Sequence, residues 1–110
     1  MKKLFDEIRV LSASDKYNHG IAEAMCKLSE EFGELAQVVC MKIGRKKHKY
    51  NAQEIKFKAI EESADLIQNV FCVADKFGIT YEELADALST KNNKWKNYIL
   101  IQNSKNEKII

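Results

Sequence analysis

Proline is missing from the 110 residues, and glycine occurs only four times. An all-β domain of this length needs many tight turns, which lean on both residues, so the chain is predicted to be helical. An excess of one charge is missing too: 18 Lys and Arg stand against 16 Asp and Glu, a net charge of +2. A balance so near neutral is no electrostatic footprint for nucleic acid or a membrane surface. There are three cysteines, Cys26, Cys40 and Cys72. The odd count and the lack of C-x-x-C spacing argue against a disulfide framework or a structural zinc site. All three have apolar helical neighbours and are expected to be buried thiols. No stretch approaches the ~20 apolar residues of a membrane span. The acidic pair Asp6-Glu7 arrives before an apolar signal region can form, so the expected location is the cytoplasm. With 45% hydrophobic and 31% charged residues, the chain reads as one soluble domain over residues 1–110 with a single core.

Periodicity divides this domain into helices. Leu4, Phe5, Ile8 and Leu11 mark a short amphipathic segment over 3–12, and Ser12 to Gly20 reads as a connection. A long helix is predicted from about Ile21 to Ile43. Its stripe of Ile21, Met25, Leu28, Phe32, Leu35 and Val39 alternates steps of four and three, the seam of a helical bundle. Gly44 closes it, and the basic loop Arg45-Lys46-Lys47-His48-Lys49 follows. A second long helix is predicted from about Ala52 to Phe77. Ile60, Ala64, Ile67, Phe71 and Ala74 form one face, and Leu66, Val70, Val73 and Phe77 widen it to nearly half the circumference. Gly78 suits the C′ position, and Thr80-Tyr81-Glu82-Glu83 is a capping box opening a third main helix toward Tyr98. The core therefore spans about 21–98, and the polar stretch 102–110 is expected to be loose. The fold class is all-α, a four-helix-bundle-type domain. Its apolar stripe is too wide for so small a monomer, so oligomerisation is expected to complete the bundle.

Acidic geometry is the most informative feature. Glu30, Glu31 and Glu34 lie on the first long helix, and Glu61, Glu62 and Asp65 on the second. Glu31 and Glu34 are neighbours one turn apart, as are Glu62 and Asp65. At ~100° per residue, Glu31 lies about 60° from the seam residue Leu28, and Glu62 lies about 20° from the edge of the second helix's apolar arc. Asn69 falls between Glu62 and Asp65 in angle, a turn or two further on. A single acidic pair would signify only solvated surface. Two pairs at seam edges on consecutive long helices can converge, and four converging anions repel one another unless a cation joins them. Hard oxygen donors without histidine or thiolate suit Mg²⁺, with Mn²⁺ as a substitute. A di-iron reading needs Glu-x-x-His on paired helices. Neither His19 nor His48 follows a Glu by three, and both read as loop residues.

Lys27-Leu28-Ser29-Glu30-Glu31-Phe32-Gly33-Glu34-Leu35-Ala36 resembles the E-E-x-x-E segment of the MazG-like nucleotide pyrophosphohydrolases. Glu62-Ser63-Ala64-Asp65-Leu66-Ile67 is similar to their E-x-x-D segment. The stretch from Ala74 to Leu84 resembles the connection that follows in them, and Lys91-Asn92-Asn93-Lys94-Trp95 their basic C-terminal segment. The resemblance covers roughly residues 21–98. It implies an all-α, Mg²⁺-dependent enzyme that cuts nucleoside triphosphates between the α and β phosphates, and a homodimer or homotetramer. It implies Glu31, Glu34, Glu62 and Asp65 as metal ligands and Glu30 as a catalytic residue beside Glu31, orienting the attacking water. Lys91 and Lys94, spaced i, i+3, are then candidates for the distal phosphates or else a solvated helix end. Asn69 is a candidate for sugar or base, or a surface amide, and Trp95 offers a stacking or a packing surface. Where family members often show arginine, this chain has Lys91, Lys94 and Lys96.

The competing reading is a non-catalytic helical dimerisation module whose basic loop 45–49 binds nucleic acid or nucleotide. Four cations in five residues supply attraction to phosphate but no sequence readout.

Overall fold

The protein, seen in a computed structural model, is described over residues 1–15 and 20–109, with side chains as far as residue 106. It is all-α, as its composition predicts: α1 (Lys2–Ser14), α2 (Ile21–Lys42), α3 (Ala52–Lys76) and α4 (Tyr81–Ile109), with no strand among the described residues. None of these helices is long and apolar enough to cross a membrane. The chain divides into two compact units, Met1–Gly78 and Ile79–Ile110. His19 lies outside the described residues.

Local chemistry sets the helix ends in the first unit. Asn51 accepts a hydrogen bond from the Glu54 backbone N–H at 2.8 Å, and Glu54 accepts one from the Asn51 N–H at 3.1 Å, so a capping box opens α3. At the end of α2, Gly44 has φ +77°. Its N–H donates to the Met41 carbonyl and the Arg45 N–H to the Cys40 carbonyl, a Schellman closure that a Cβ-bearing residue adopts only with strain.

α2 and α3 pack antiparallel. Val38, Val39 and Lys42 share a groove with Ala52, Ile55 and Ala59, while at the other end Ala24 and Lys27 share one with Asn69 and Cys72. α1 lies along the C-terminal half of α3. Phe5 is fully buried and meets Phe71 edge to face, with centroids 5.0 Å apart, a geometry worth ~1 kcal/mol beyond the area it buries. The Arg9 Nε donates to Asp75 Oδ1 at 2.9 Å, tying the far end of α1 to α3.

The seam differs from the row that hydrophobicity picks out. On α2 the buried residues are Ala24, Glu31 and Val38, with Leu28 and Leu35 half-buried. Met25, Phe32 and Val39, expected in the seam, are exposed, Phe32 to 65%. Among the described residues of this unit α2 packs against α3 alone, so only one row is covered, and the small Ala24 lies in it. On α3, Ile55, Phe71 and Ala74 are buried, whereas Ile60, Ile67, Val70 and Phe77 are exposed. The cysteine expectation fails in part: Cys26 is exposed, and Cys40 and Cys72 are only half-buried.

In the second unit, the Thr80 hydroxyl accepts from the Glu83 N–H and Glu83 accepts from the Thr80 N–H, the expected capping box. α4 runs on to Ile109, beyond Tyr98 and through the stretch expected to be loose. No glycine or proline interrupts residues 79–110, so the strongest helix breakers are missing, and the asparagines there weaken the helix without ending it.

Candidate metal centre

The rotation of the seam has a chemical consequence. It moves Glu31 from the margin of α2 to its buried row, where the residue is only 6% exposed. From α3, Glu62 (half-buried) and Asp65 (exposed) meet it, and one carboxylate oxygen from each of the three lies within 4.8 Å of the others. Glu34, a turn beyond Glu31, is hydrogen-bonded to both Glu31 and Glu62 through their carboxyl groups. Three of the four carboxylates singled out from spacing therefore meet in one cluster, and Glu34 adjoins it.

Such a cluster resists full ionisation. A hydrogen bond between two carboxyl groups requires a proton in one of them. The bond with Glu34 pushes the Glu62 pKa up to about 7, aided by burial and by the charges of Glu34, Asp65 and Glu31. Glu31 is raised as well, first by burial and then by Glu34 and Asp65, with Lys27 opposing. Lys27 Nζ stands 3.8 Å from Glu31 Oε1 and 3.9 Å from Glu30 Oε2. Among the described residues, two buried side-chain oxygens have no hydrogen-bond partner, Glu31 Oε2 and Glu62 Oε2. Orphaned buried acceptors are costly. The donor set is all carboxylate oxygen from two rigid helices, which suits a hard divalent cation of the Mg²⁺ or Mn²⁺ type.

The other candidates fall elsewhere. Glu30 shares Lys27 with Glu31, but its side chain is 65% exposed and stands outside the cluster. Asn69 adjoins the cluster on α3, where its amide donates to the Asp65 backbone carbonyl at 2.8 Å. It also lines a groove of about 360 Å³ with Ser12, Lys27, Gln68 and Cys72. Lys91, Lys94 and Trp95 are exposed on α4 in the second unit. In the basic loop, Lys46 Nζ donates to Gln37 Oε1 at 2.8 Å. Sequence reasoning missed Lys27, the cation that partly offsets the buried Glu31. Its spacing four residues before Glu31 was the available signal. Comparison with protein families, with curated proteins and with solved structures finds no match to this chain.

Proposed function

We propose that the chain is a Mg²⁺-dependent nucleoside triphosphate pyrophosphohydrolase, cytoplasmic and acting on the nucleotide pool in the manner of the MazG-like enzymes it resembles. The observation that carries this reading is the convergence of Glu31, Glu62 and Asp65 from two antiparallel helices, with two buried carboxylate oxygens unpartnered. These fall within the same E-E-x-x-E and E-x-x-D segments that carry the resemblance.

Glu31, Glu34, Glu62 and Asp65 would hold the cation. When bound, Mg²⁺ supplies polarisation of phosphoryl oxygens and neutralisation of the charge that develops on them. One water opens the anhydride between the α and β phosphates, giving the nucleoside monophosphate and pyrophosphate. Glu30, next to Glu31 and on the solvent side, would orient that water. Lys27 keeps Glu31 partly compensated before substrate arrives, and the α2–α3 seam holds the carboxylates in register. A second copy of the chain would cover the exposed apolar rows of α2 and α3, including Phe32, Val39, Ile60 and Ile67, as a homodimer or a dimer of dimers.

The test is pyrophosphate release from a mixed pool of NTPs and dNTPs, with and without EDTA. Turnover that EDTA abolishes and Mg²⁺ restores is expected. Absence of release at any Mg²⁺ concentration, with binding to RNA or DNA that ignores EDTA and weakens steeply with salt, would replace this reading by the basic-loop module.

A further inference from the structure

Toward the N-terminus of α3, the face that carries Glu62 and Asp65 continues to Lys58, one turn before Glu62. A groove of about 430 Å³ opens there, lined by Tyr50, Gln53, Phe57, Lys58, Glu61 and Glu62 among others. Its size is within the range of small-molecule sites, ~300–1,000 Å³. Glu62 belongs both to this groove and to the carboxylate cluster, so the groove adjoins that cluster.

The lining is organised. The Lys58 ammonium sits 4.4 Å from the centroid of the Tyr50 ring. Tyr50 is stacked on His48, centroids 6.0 Å apart and 13° from parallel. The Tyr50 N–H donates to His48 Nδ1 at 3.1 Å, and the Asn51–Glu54 capping box follows directly. Lys58 is therefore held by an aromatic face. Despite Glu54, Glu61 and Glu62 in the same groove, its ammonium has no carboxylate partner among the described residues. Phe57, in the same groove, is 61% exposed. A cation with no carboxylate partner, one turn from the carboxylate cluster, suits a phosphate. An exposed aromatic residue beside it in the groove suits a nucleobase, whose stacking is favourable for every base.

We propose that this groove is the nucleoside end of the site, with the base on Phe57 and the phosphate nearest the sugar between Lys58 and the cation at Glu62. The proposal rests on the reading of the carboxylates as a Mg²⁺ nucleotide centre, and it assigns the nucleoside to Phe57, Lys58 and Tyr50.

Three proteins test it: wild type, Phe57→Ala and Lys58→Met. Each is first checked for stabilisation by Mg²⁺ alone in thermal denaturation. Each is then titrated by calorimetry, in millimolar Mg²⁺, with the α,β-imido analogues of the four dNTPs and separately with tripolyphosphate, which has no base. Phe57→Ala should weaken the analogues about tenfold and leave tripolyphosphate unchanged. Lys58→Met should weaken both probes, and both variants should keep the wild-type response to Mg²⁺. Phe57→Leu, which keeps an apolar side chain without the aromatic face, replaces the alanine variant if circular dichroism shows that variant unfolded. Wild-type affinity for the analogues in both variants, with the Mg²⁺ response intact, overturns the groove and leaves the metal centre standing. A wild-type protein that neither responds to Mg²⁺ nor binds any analogue overturns both.

Discussion

Replacing Glu31 by Gln asks whether its burial serves the fold or a cation. Glu31 is 6% exposed, and its oxygen lies within 4.8 Å of one on Asp65. Two unit charges at that separation repel by about 1 kcal/mol in water-like surroundings and by about 3.5 kcal/mol at an effective dielectric of 20. With one partner buried and the other exposed, the pair falls between these limits. Lys27, 3.8 Å from Glu31, offsets part of the repulsion. Glutamine keeps the shape, removes the charge and offers an N–H₂ group within a cluster whose Glu62 Oε2 has no hydrogen-bond partner among the described residues. In EDTA the variant should therefore melt higher than wild type by several degrees, at roughly 4 °C per kcal/mol for a domain of this size. Mg²⁺ should reverse the ranking. A cation bound only by the native state at a hundred times its Kd adds about 2.7 kcal/mol, about 10 °C by the same conversion, and the variant should lose most of that gain. Pyrophosphate release should fall by orders of magnitude. The assay is thermal denaturation by circular dichroism in EDTA, in millimolar MgCl₂ and in NaCl of matched ionic strength. A Glu31→Gln protein that melts lower than wild type without metal and keeps the full Mg²⁺ shift would show that Glu31 supports the seam and holds no cation. Equal stabilisation of wild type by the two salts would reduce the effect to screening.

Three further outcomes are expected. The Glu62 pKa of about 7 in the native state lies above its ordinary value of 4.5, so the native protein keeps a proton that the unfolded chain has released. Metal-free stability should accordingly fall as pH rises from about 4.5 to 7, and Mg²⁺ should flatten that decline; melting curves across this range that rise with pH in EDTA would contradict the cluster. Phe5→Ala removes a fully buried ring packed on Phe71 and should cost about 3–5 kcal/mol, a loss of more than ~10 °C, whereas Phe32→Ser on the exposed row should leave a monomeric unit's stability nearly unchanged. Light scattering at tens of micromolar should give a multiple of 12.7 kDa, and Phe32→Ser or Ile60→Ser should shift it toward the monomer; a monomeric wild-type mass counts against the second copy.

Composition and periodicity were enough for the all-α class, because turn-forming residues are scarce and apolar residues recur every three or four positions. The Thr80–Glu83 box and the glycine stops were equally legible, since capping involves only neighbours in the chain. So was the pairing of Glu31 with Glu34 and of Glu62 with Asp65, which helical pitch alone dictates. Which row of α2 meets α3 was not legible. Met25, Phe32 and Val39 are as apolar as any seam needs, and their exposure reflects what packs against the helix. That choice of row is tertiary, and it turned Glu31 inward, moved Glu30 outward onto Lys27 and left two carboxylate oxygens buried without partners. The groove from Tyr50 to Glu62 was likewise invisible, because it joins a loop residue to two successive turns of a helix through the cation–π contact of Lys58. Sequence determines which groups each helix carries and at what pitch. Only packing determines which of them face one another, because the rotation of one helix against its neighbour depends on all the side chains at the contact together.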